Sequence, residues 1–387
     1  MPAKPDIIWI VATQWRAQAC GYAGDVNART PALDALAANS DTINYAQAVT
    51  PHPFGPFARA ALLTGVPSPE NGVRDYFDAL PPTARTVADR LNERGYATGF
   101  FGKWGVGERD RSAPLVGEAA ARQAVPPGAR GGFARWEGFE GGFLLNDPWW
   151  QGPGDEPARQ LNGYQSDVIC ARAEAWWRAE YVATDGPCFA YVSLEAPHPP
   201  YAAAVPSGVT RPSEESLTLS ANVPRGGEAE AQARRELAGY YAHIEATDRA
   251  LGRLIAALDE AAALDGRPSP LVIFTSVHGD MHGAHGLFRK GWPHEESICV
   301  PLLVRGAPGA TAGGRCDDAV SLLDLSVMTE AWSEGREWRC PREQAEISMP
   351  AVVALPLQCD RVWSGWRSAN AKRIYLGDGT EWVLTET

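Results

Sequence analysis

Short apolar runs, rich in β-branched and aromatic residues, alternate along the chain with longer segments whose apolar residues follow helical spacing. Four of the runs predict buried strands: DIIWIVA from Asp6, ATGFF before Lys103, CFAYVSL before Glu195 and LVIFTS before Val277. This alternation is typical of an α/β fold in which helices cover both faces of a sheet. Because open α/β sheets bind ligands at the carboxyl ends of their strands, we expect functional groups directly after these runs.

Two helices are indicated by apolar spacing. Thr30 and Pro31 form an N-cap and first-turn pair, which predicts a helix that buries Leu33 and Leu36. A longer helix is predicted where apolar residues keep helical spacing over several turns: Leu237, Tyr241, Ile244, Leu251, Leu254, Ile255 and Leu258. We interpret these residues as core positions.

The regular pattern breaks between residues 110 and 165. This segment is rich in Gly and Pro and carries large aromatic residues, among them Trp136, Phe139, Phe143, Trp149 and Trp150. Long irregular insertions often form lids or binding loops. Two interpretations stay open, namely an aromatic cover over a substrate and an excursion that packs on the surface.

The chain has 387 residues and a formal net charge of -12. This length allows one large domain with a substantial core and a smaller appendage. The negative charge argues against general binding of nucleic acids, because an acidic surface repels phosphate.

The N-terminal segment MPAKPDIIWIVATQ has only a short apolar run, which suits a first strand better than a secretion signal or a membrane span. The cysteines are odd in number, scattered and without CxxC spacing: Cys20, Cys170, Cys188, Cys299, Cys316, Cys340 and Cys359. Such a pattern favours reduced thiols over a disulfide framework. We therefore predict a cytoplasmic protein that does not associate with membranes.

Several segments resemble, in the same order, the motifs of the sulfatase family in the alkaline phosphatase superfamily. They are TQWR from Thr13, TPALDALA from Thr30, GPFARAALLTG from Gly55, GKWGVG from Gly102, PHPPY from Pro197, YAHIEATDRALGRL from Tyr241 and TSVHGDMHGAHGLFRKGWPHEESICVPLLV from Thr275. The resemblance covers nearly the whole chain. Its TQWR segment, which is similar to the family's DQWR motif, points to the branch that includes choline sulfatases and phosphonate monoester hydrolases.

This resemblance implies a domain organisation. A large central mixed β-sheet is expected in a sulfatase-like α/β domain over residues 1–339, with the insertion at residues 110–165. A small C-terminal α+β subdomain is expected over residues 340–387, and it is abbreviated relative to the family because the sequence stops at Thr387.

The nucleophile of the family is missing from this chain. In the family this segment reads CxPxRxxLLTG, and its cysteine is oxidised to a formylglycine whose hydrate attacks sulfur. Here Gly55 stands in place of the cysteine and Phe57 in place of the proline. Because glycine has no side chain that could become a hydrated aldehyde, a hydroxyl or a thiolate, covalent catalysis from this position is excluded. We predict that the ancestral sulfatase chemistry is lost.

The metal-ligand positions of the family have changed as well. The resemblance implies one divalent cation, usually calcium, which requires oxygen ligands. The first ligand pair is Asp-Gln in this branch, and this chain has Thr13 and Gln14. The second cluster, DHGD in the family, is VHGD here, so that Val277 precedes His278. We predict an empty metal site and no cofactor.

The alternative is that other carboxylates rebuild a metal site, for which Asp25, Glu195 and Asp280 are the candidates. Loss of a dication together with two carboxylates leaves the formal charge of the site unchanged. This balance suits a remodelled metal-free site, and it also suits decay.

The anion-binding positions of the family are retained. Arg59, Lys103, His198 and Lys290 match the positions that bind sulfate oxygens or hold the nucleophile, whereas Gly105 replaces the histidine of the family's GKWHLG motif. Arg and Lys bind tetrahedral anions through charge-assisted hydrogen bonds. We therefore predict catalytic roles for four residues, Lys103, His198, His278 and Lys290. We predict substrate binding by four others, Thr13, Gln14, His52 and Arg59.

Histidines are concentrated near these motifs. His278, His282 and His285 lie close together, His294 follows, and His52 precedes Gly55. Three interpretations stay open: structural hydrogen bonding, metal-free acid–base catalysis and a new zinc site formed by His282, His285 and His294.

Three functions are compatible with the sequence. The first is a repurposed, metal-independent enzyme that acts on an anionic small molecule. The second is a non-catalytic pseudosulfatase that binds an anionic ligand or a partner, either as a homo-oligomer or with a sulfatase-like relative. The third is residual hydrolysis of sulfate or phosphate esters with an improvised metal site.

Overall fold

The computed structural model describes residues 4–309 and 314–384. Its strands are β1 (Ile7–Thr13), β2 (Thr42–Tyr45), β3 (Ala97–Lys103), β4 (Arg135–Phe139), β5 (Trp149–Trp150), β6 (Arg159–Gln160), β7 (Cys188–Pro197), β8 (Leu271–Ser276), β9 (Leu302–Arg305), β10 (Gly314–Cys316), β11 (Gln344–Met349), β12 (Trp363–Ser368) and β13 (Lys372–Leu376). Its α-helices are α1 (Pro31–Ala38), α2 (Gly55–Thr64), α3 (Val87–Asn92), α4 (Glu118–Ala121), α5 (Gln165–Ala183), α6 (Glu228–Leu264), α7 (Glu295–Ile298) and α8 (Leu325–Ser333).

A large mixed sheet of eight strands forms the centre of the structure, in the order β10–β2–β9–β8–β1–β7–β3–β4. Strands β8, β1, β7, β3 and β4 run parallel to one another, and β9 is antiparallel to both β8 and β2. The four apolar runs of the sequence are the adjacent strands β8, β1, β7 and β3. The predicted α/β fold with a mixed sheet is therefore confirmed.

Helices cover both faces of this sheet. Side chains of a strand alternate between the faces, so Trp9 of β1 packs in the core formed with α2, α3 and α8, whereas Ile10 packs in the core formed with α1, α5 and α6. The long predicted helix is α6, and its predicted core residues are buried except for Ile255, which is partly buried.

The N-terminus of α1 is capped differently from the prediction. The Thr30 side chain makes no capping hydrogen bond to the helix. Its hydroxyl donates instead to Asp34 Oδ1 (2.9 Å), and the Asp248 carboxylate of α6 accepts the backbone N–H groups of Ala32 and Leu33 (2.9 Å each). The Asp248 carboxylate, from a neighbouring helix, thus accepts two of the free N–H groups at the start of α1. The helix dipole also favours its negative charge at this position.

A small antiparallel sheet, β11–β12–β13, follows the large one in the chain. Its Trp363 donates through Nε1 to the backbone oxygen of Gly291 (2.8 Å), which places it beside the loop that carries Lys290. The boundary between residues 339 and 340 stays a prediction. All seven cysteines lie within the described residues and are free thiols, as the sequence predicts.

Candidate functional site

The carboxyl ends of the parallel strands meet at one edge of the large sheet and line a cavity of about 390 Å³. The N-terminus of α2, with Gly55, and the loop that carries Lys290 close its inner end. Six of the eight predicted site residues line this cavity: Thr13, Arg59, Lys103, His198, His278 and Lys290. The fold therefore brings together residues that are far apart in the sequence.

The Arg59 guanidinium is buried and fixed by strand ends. Its Nη1 donates to Ser193 Oγ (2.7 Å) and to the backbone oxygen of Lys103 (3.2 Å). Its Nη2 donates to Thr13 Oγ1 (2.5 Å), and that hydroxyl donates to the backbone oxygen of Leu194 (2.7 Å). Since β1, β3 and β7 all contribute, the position of the positive charge depends on the register of the sheet.

Lys103 at the end of β3 is neutralised by a buried carboxylate. Its Nζ donates to Glu195 Oε1 (2.5 Å), while Gln165 Nε2 donates to Glu195 Oε2 (3.1 Å). The Phe143 ring covers the ammonium at 4.4 Å from its centroid and stacks on His198, with ring centroids 4.5 Å apart. Phe143 therefore links these two side chains at the cavity wall.

Lys290 is held by neutral acceptors. Its Nζ donates to Gln14 Oε1 (2.7 Å) and to His198 Nε2 (2.8 Å). His198 Nδ1 lies 2.9 Å from the backbone oxygen of Pro199. Because a carbonyl oxygen only accepts, Nδ1 carries the proton and Nε2 is free to accept from Lys290.

A buried network orients the Gln14 amide behind the cavity. Asp280 Oδ2 accepts from Gln14 Nε2 and from the Tyr201 hydroxyl (2.5 Å). Asp280 Oδ1 accepts the backbone N–H groups of His282 (3.0 Å) and Arg289 (3.1 Å). With its Nε2 bound to Asp280, Gln14 presents Oε1 to Lys290. Gln14 itself does not line the cavity but positions a residue that does.

His278 lines the cavity and carries a buried ring nitrogen that is not used within the described part of the protein. Its Nδ1 lies 2.9 Å from the backbone oxygen of Gly279 and therefore donates to it. Its Nε2 is buried and has no hydrogen-bond partner among the described residues. A buried nitrogen without a partner is costly in a folded protein, so it indicates a group that a ligand can satisfy.

Burial lowers the pKa values of three basic side chains that line the cavity: His198, His278 and Lys290. Burial, followed by the charge of Lys290, holds the pKa values of His198 and His278 well below the usual 6.5. Burial, followed by the charge of Lys103, holds the pKa of Lys290 well below 10.5. Both imidazoles are therefore neutral at pH 7.

The side chains at the family's metal-ligand positions do not fit a divalent cation. Gln14 Oε1 accepts from the Lys290 ammonium, and Thr13 Oγ1 accepts from the Arg59 guanidinium, so cationic groups already occupy both oxygens. Val277 is fully buried in the apolar core. Hard cations require anionic or carbonyl oxygens that are free to bind them.

The candidate replacement carboxylates are engaged elsewhere. Asp25 accepts from the Tyr241 hydroxyl (2.6 Å) and does not line the cavity. Glu195 pairs with Lys103, and both oxygens of Asp280 accept hydrogen bonds. Within residues 4–309 and 314–384, no three His, Cys, Asp or Glu side chains form a group that could hold a metal ion.

The two glycines at changed family positions differ in the space around them. A Cβ at Gly55 would meet no heavy atom within 4 Å. A Cβ at Gly105, where φ is +69°, would lie 2.8 Å from Cδ of Arg59. The Arg59 side chain therefore fills the space at Gly105, whereas the space at Gly55 belongs to the cavity.

His52 is placed away from the cavity. Its Nε2 accepts the backbone N–H of Ser68 (2.8 Å), and its Nδ1 lies 3.2 Å from the backbone oxygen of Ser348. Burial lowers its pKa to about 4. Both ring nitrogens are thus used to join segments of the fold, and a substrate-binding role for His52 has no support from its position.

The other clustered histidines do not assemble around one point. His282 is fully buried, with its ring centroid 4.2 Å from that of Tyr240. His285 and His294 stack on each other at 4.4 Å. Because these histidines belong to no metal-binding group in the described part of the chain, the zinc interpretation gains no support.

The sequence does not indicate Ser193, and it gives no specific role to Phe143 or to the pairing of Glu195. Glu195 is a candidate metal ligand in the sequence, yet it pairs with Lys103, as a carboxylate inside an apolar strand requires. Phe143 is one of several aromatic residues of the insertion, and its contacts with Lys103 and His198 set it apart. Ser193 carries no signal, because a serine in a strand is common, and it is recognised only from its hydrogen bond with Arg59.

The insertion contributes both to the core and to the cavity. Trp136, Phe139 and Trp150 are buried, and Arg122 covers the ring of Trp149 at 4.7 Å. Of the aromatic residues singled out in the sequence, Phe143 lines the cavity. Apolar residues of segment 113–116 also line it. The insertion therefore lines the cavity and packs in the core, and its role as a cover over a substrate stays a prediction.

Comparison with known proteins supports the resemblance. The sulfatase family model matches residues 5–326. The ulvan-active sulfatase of Formosa agariphila is 35% identical over 309 residues, which cover 79% of this chain and 56% of that protein. The chain thus spans little more than half the length of this relative.

Solved structures share the fold. The crystal structure of yidJ from Bacteroides fragilis has a TM-score of 0.80 at 22% identity and covers 98% of this chain and 88% of its own. The phosphonate monoester hydrolase of Agrobacterium radiobacter has a TM-score of 0.65 at 20% identity and covers 96% and 89%. In the described part of this chain, no helix combines the length and apolar character that a bilayer crossing requires.

Proposed function

Because this chain belongs to the sulfatase family, we propose that its site is a metal-independent derivative of a sulfatase site, which binds a small anionic molecule and transforms it by acid–base chemistry. One observation carries the proposal. Lys290 and Arg59 line the cavity without an ion pair among the described residues, whereas Lys103 is paired with Glu195.

An anion supplies the charge that these two groups lack. Buried cations without a counter-ion are unfavourable, and charge-assisted hydrogen bonds to an anion offset that cost. The N-terminus of α2 also faces the cavity, and its dipole favours negative charge. The anionic group is therefore expected between Arg59, Lys290 and the open space at Gly55.

The neutral imidazoles provide the proton transfers. His278 lines the cavity, and its Nε2 has no hydrogen-bond partner among the described residues, so we assign to it the acceptance of a proton from the bound molecule. The Lys290 ammonium, which contacts His198 Nε2, donates a proton to the atom of the bound molecule on which negative charge develops. Proton removal and return of this kind suit elimination, isomerisation or cyclisation, and none of these needs a covalent nucleophile.

Two alternative functions remain, and the observations support them unequally. A pseudosulfatase that only binds ligands or partners is favoured by Gly55, because no nucleophile faces the cavity from that position. Residual ester hydrolysis with an improvised metal needs Glu195 or Asp280 as ligands. Both carboxylates are already bonded, to Lys103 and to Gln14 with Tyr201, so this third function has the least support.

Binding is tested by titration calorimetry with inorganic sulfate and phosphate on protein treated with EDTA. We expect binding by the wild type and at least about tenfold weaker binding by the Lys290→Met variant, which corresponds to about 1.4 kcal/mol. Lys372→Met is the matched control, because Lys372 pairs with Glu295 and does not line the cavity. Absence of anion binding by the wild type refutes the proposal.

Catalysis is tested by incubating the protein with the acidic fraction of a metabolite extract and following the compounds by mass spectrometry. We expect one anionic compound to be consumed in the presence of EDTA and to persist with the His278→Asn and His198→Ala variants. Consumption that EDTA abolishes contradicts a metal-independent site. Anion binding without consumption of any compound favours the pseudosulfatase.

A further inference from the structure

The outer wall of the cavity differs in character from its inner end. We infer that the ligand combines one anionic group with an apolar body, a single ring or a short branched chain, and that it is not a sugar. This inference rests on the proposed function, which supplies the anionic group at the inner end. It adds the chemical class of the remainder of the molecule.

The outer wall is built from apolar side chains of three separate segments. They come from residues 113–116 of the insertion, from Leu355 and Pro356, and from Phe54, which precedes Gly55. Of the lining residues, Val116 is 64% exposed, and Leu357, next to the lining residue Pro356, is 47% exposed. Apolar side chains exposed around a cavity indicate a surface that an apolar ligand covers.

Two charged side chains that line the cavity, Arg109 and Glu140, are bonded to each other and to the backbone. Arg109 donates to Glu140 Oε1 (2.6 Å) and to the backbone oxygens of Tyr76 and Gly105 (2.7 Å each). Glu140 Oε2 accepts the backbone N–H of Gly107 (2.9 Å). These donors and acceptors are not available to ligand hydroxyls.

Two further lining side chains are engaged as well. Arg289 donates both terminal nitrogens to Glu236 (2.6 and 2.9 Å), and Gln123 donates to the backbone oxygen of Glu108. Because these groups are engaged and much of the lining is apolar, a sugar regains few of the hydrogen bonds that it loses to water, whereas an apolar body gains from burial. The wall therefore discriminates against polyhydroxylated ligands.

The volume limits the size of the ligand. A cavity of about 390 Å³ lies near the lower end of the range of about 300–1,000 Å³ that small-molecule sites occupy. Part of this volume is needed for the anionic group. One ring or a short chain fills the rest, and a polysaccharide segment does not fit inside.

Three probes with the same anionic group test the inference by titration calorimetry: inorganic sulfate, phenyl sulfate and glucose 6-sulfate. We expect phenyl sulfate to bind at least about ten times more tightly than glucose 6-sulfate, because its ring is buried against the apolar wall. The Leu355→Asn and Leu115→Asn variants are expected to reduce this preference and to leave the affinity for inorganic sulfate unchanged. Val182→Asn is the matched control, because Val182 is 91% exposed on α5 and does not line the cavity.

The outcomes separate this inference from the proposed function. If inorganic sulfate binds and the two organic sulfates bind equally well, the apolar-body inference is wrong and the anion site stands. If glucose 6-sulfate binds more tightly, the inference is likewise overturned. If none of the three probes binds, both proposals fail. Release of phenol is measured in parallel, so that hydrolysis of phenyl sulfate is not mistaken for binding.

Discussion

Gly55 opens α2 at the inner end of the cavity, and the space beside it is free of protein atoms. This space is where the family carries its nucleophile. A side chain can therefore return to this position without rebuilding the site. A side chain at position 55 does not by itself restore the anionic metal ligands that the family uses with its formylglycine, since Thr13 and Val277 carry no charge.

The Gly55→Cys substitution is expected to leave stability within about 1 kcal/mol of the wild type, because the new Cβ meets no atom and helical glycine is conformationally costly. Hydrolysis of 4-nitrophenyl sulfate is expected to stay absent, even when the cysteine has been converted to formylglycine and calcium is added. Thermal melting and nitrophenol release measure the two outcomes.

Gly105→Ala is the control for this substitution. Its φ of +69° and the 2.8 Å approach to Arg59 predict a loss of stability of about 1–2 kcal/mol. Recovery of aryl sulfate hydrolysis by Gly55→Cys alone would show that the changed ligand positions still support the ancestral chemistry.

Lys103 and Glu195 form a buried ion pair whose members depend on each other. Glu195→Gln leaves the Lys103 ammonium buried without its counter-ion, and we expect a loss of about 3–5 kcal/mol in the free energy of unfolding. Urea unfolding at pH 7 measures it. Glu118→Gln, in an exposed pair with Arg122 at 3.6 Å, is expected to cost less than about 1 kcal/mol. Equal losses in both variants would disprove a neutralising role of Glu195.

At the level of elements, the strands were predictable because burial on both faces leaves continuous apolar runs, as in β1 and β8. Their carboxyl ends were predictable as the place of the candidate site, because open α/β sheets bind ligands at that edge. The start of α1 was predictable, since Thr30 is its N-cap residue and Pro31 its first residue. The acceptor of its free N–H groups was not predictable, because Asp248 comes from a distant helix. The local sequence indicates where a helix begins, whereas tertiary packing determines which side chain accepts the free N–H groups at its start.

His52 shows that functional roles, too, cannot always be predicted from position in the sequence. Its place beside the nucleophile motif suggested substrate binding, yet its ring joins the segment before α2 to Ser68 and to Ser348 of β11. Nearness in the sequence to a motif does not fix the direction of a side chain. The retained cations Arg59 and Lys290, by contrast, were found from motif positions and do line the cavity.

The buried His52 ring, which bonds to Ser68 and Ser348, predicts that the stability of the fold depends on pH. Its pKa is about 4 in the fold and about 6.5 in the unfolded chain, so the unfolded state binds more protons between these values. Stability from this group is complete above pH 6.5 and declines as the pH falls towards 4. Between pH 7 and pH 4.5 we expect the advantage of the wild type over His52→Gln to shrink by roughly 2–3 kcal/mol.

Urea unfolding of both proteins at the two pH values measures this change. The wild type at each pH is its own reference, because all other titrating groups are common to the two proteins. If the wild type and His52→Gln differ by the same free energy of unfolding at pH 7 and pH 4.5, the assignment of His52 as a buried, neutral imidazole is contradicted.

At the level of the whole molecule, the cavity collects residues from most of the described chain. The parallel strands supply Thr13 and Lys103, α2 supplies Arg59, and the loop beside the small C-terminal sheet supplies Lys290. Of the cations that line the cavity, Lys103, Arg109 and Arg289 have ion pairs within the protein, whereas Arg59 and Lys290 have none among the described residues. The proposed function therefore predicts that the site responds to anions and not to divalent cations, since cationic groups already occupy the oxygens of Thr13 and Gln14.

This difference gives opposite expectations for two additives in thermal melting. A ligand at about 1,000 times its dissociation constant stabilises the folded state by about 4 kcal/mol, which raises the melting temperature of a protein of this size by several degrees. We expect sulfate to raise the melting temperature and neither calcium nor EDTA to change it. Sodium chloride at equal ionic strength is the control for screening. A rise with calcium that EDTA reverses would contradict the proposal, because Asp280 or Glu195 would then have to leave its present partners, Gln14 and Tyr201 or Lys103, to bind the ion.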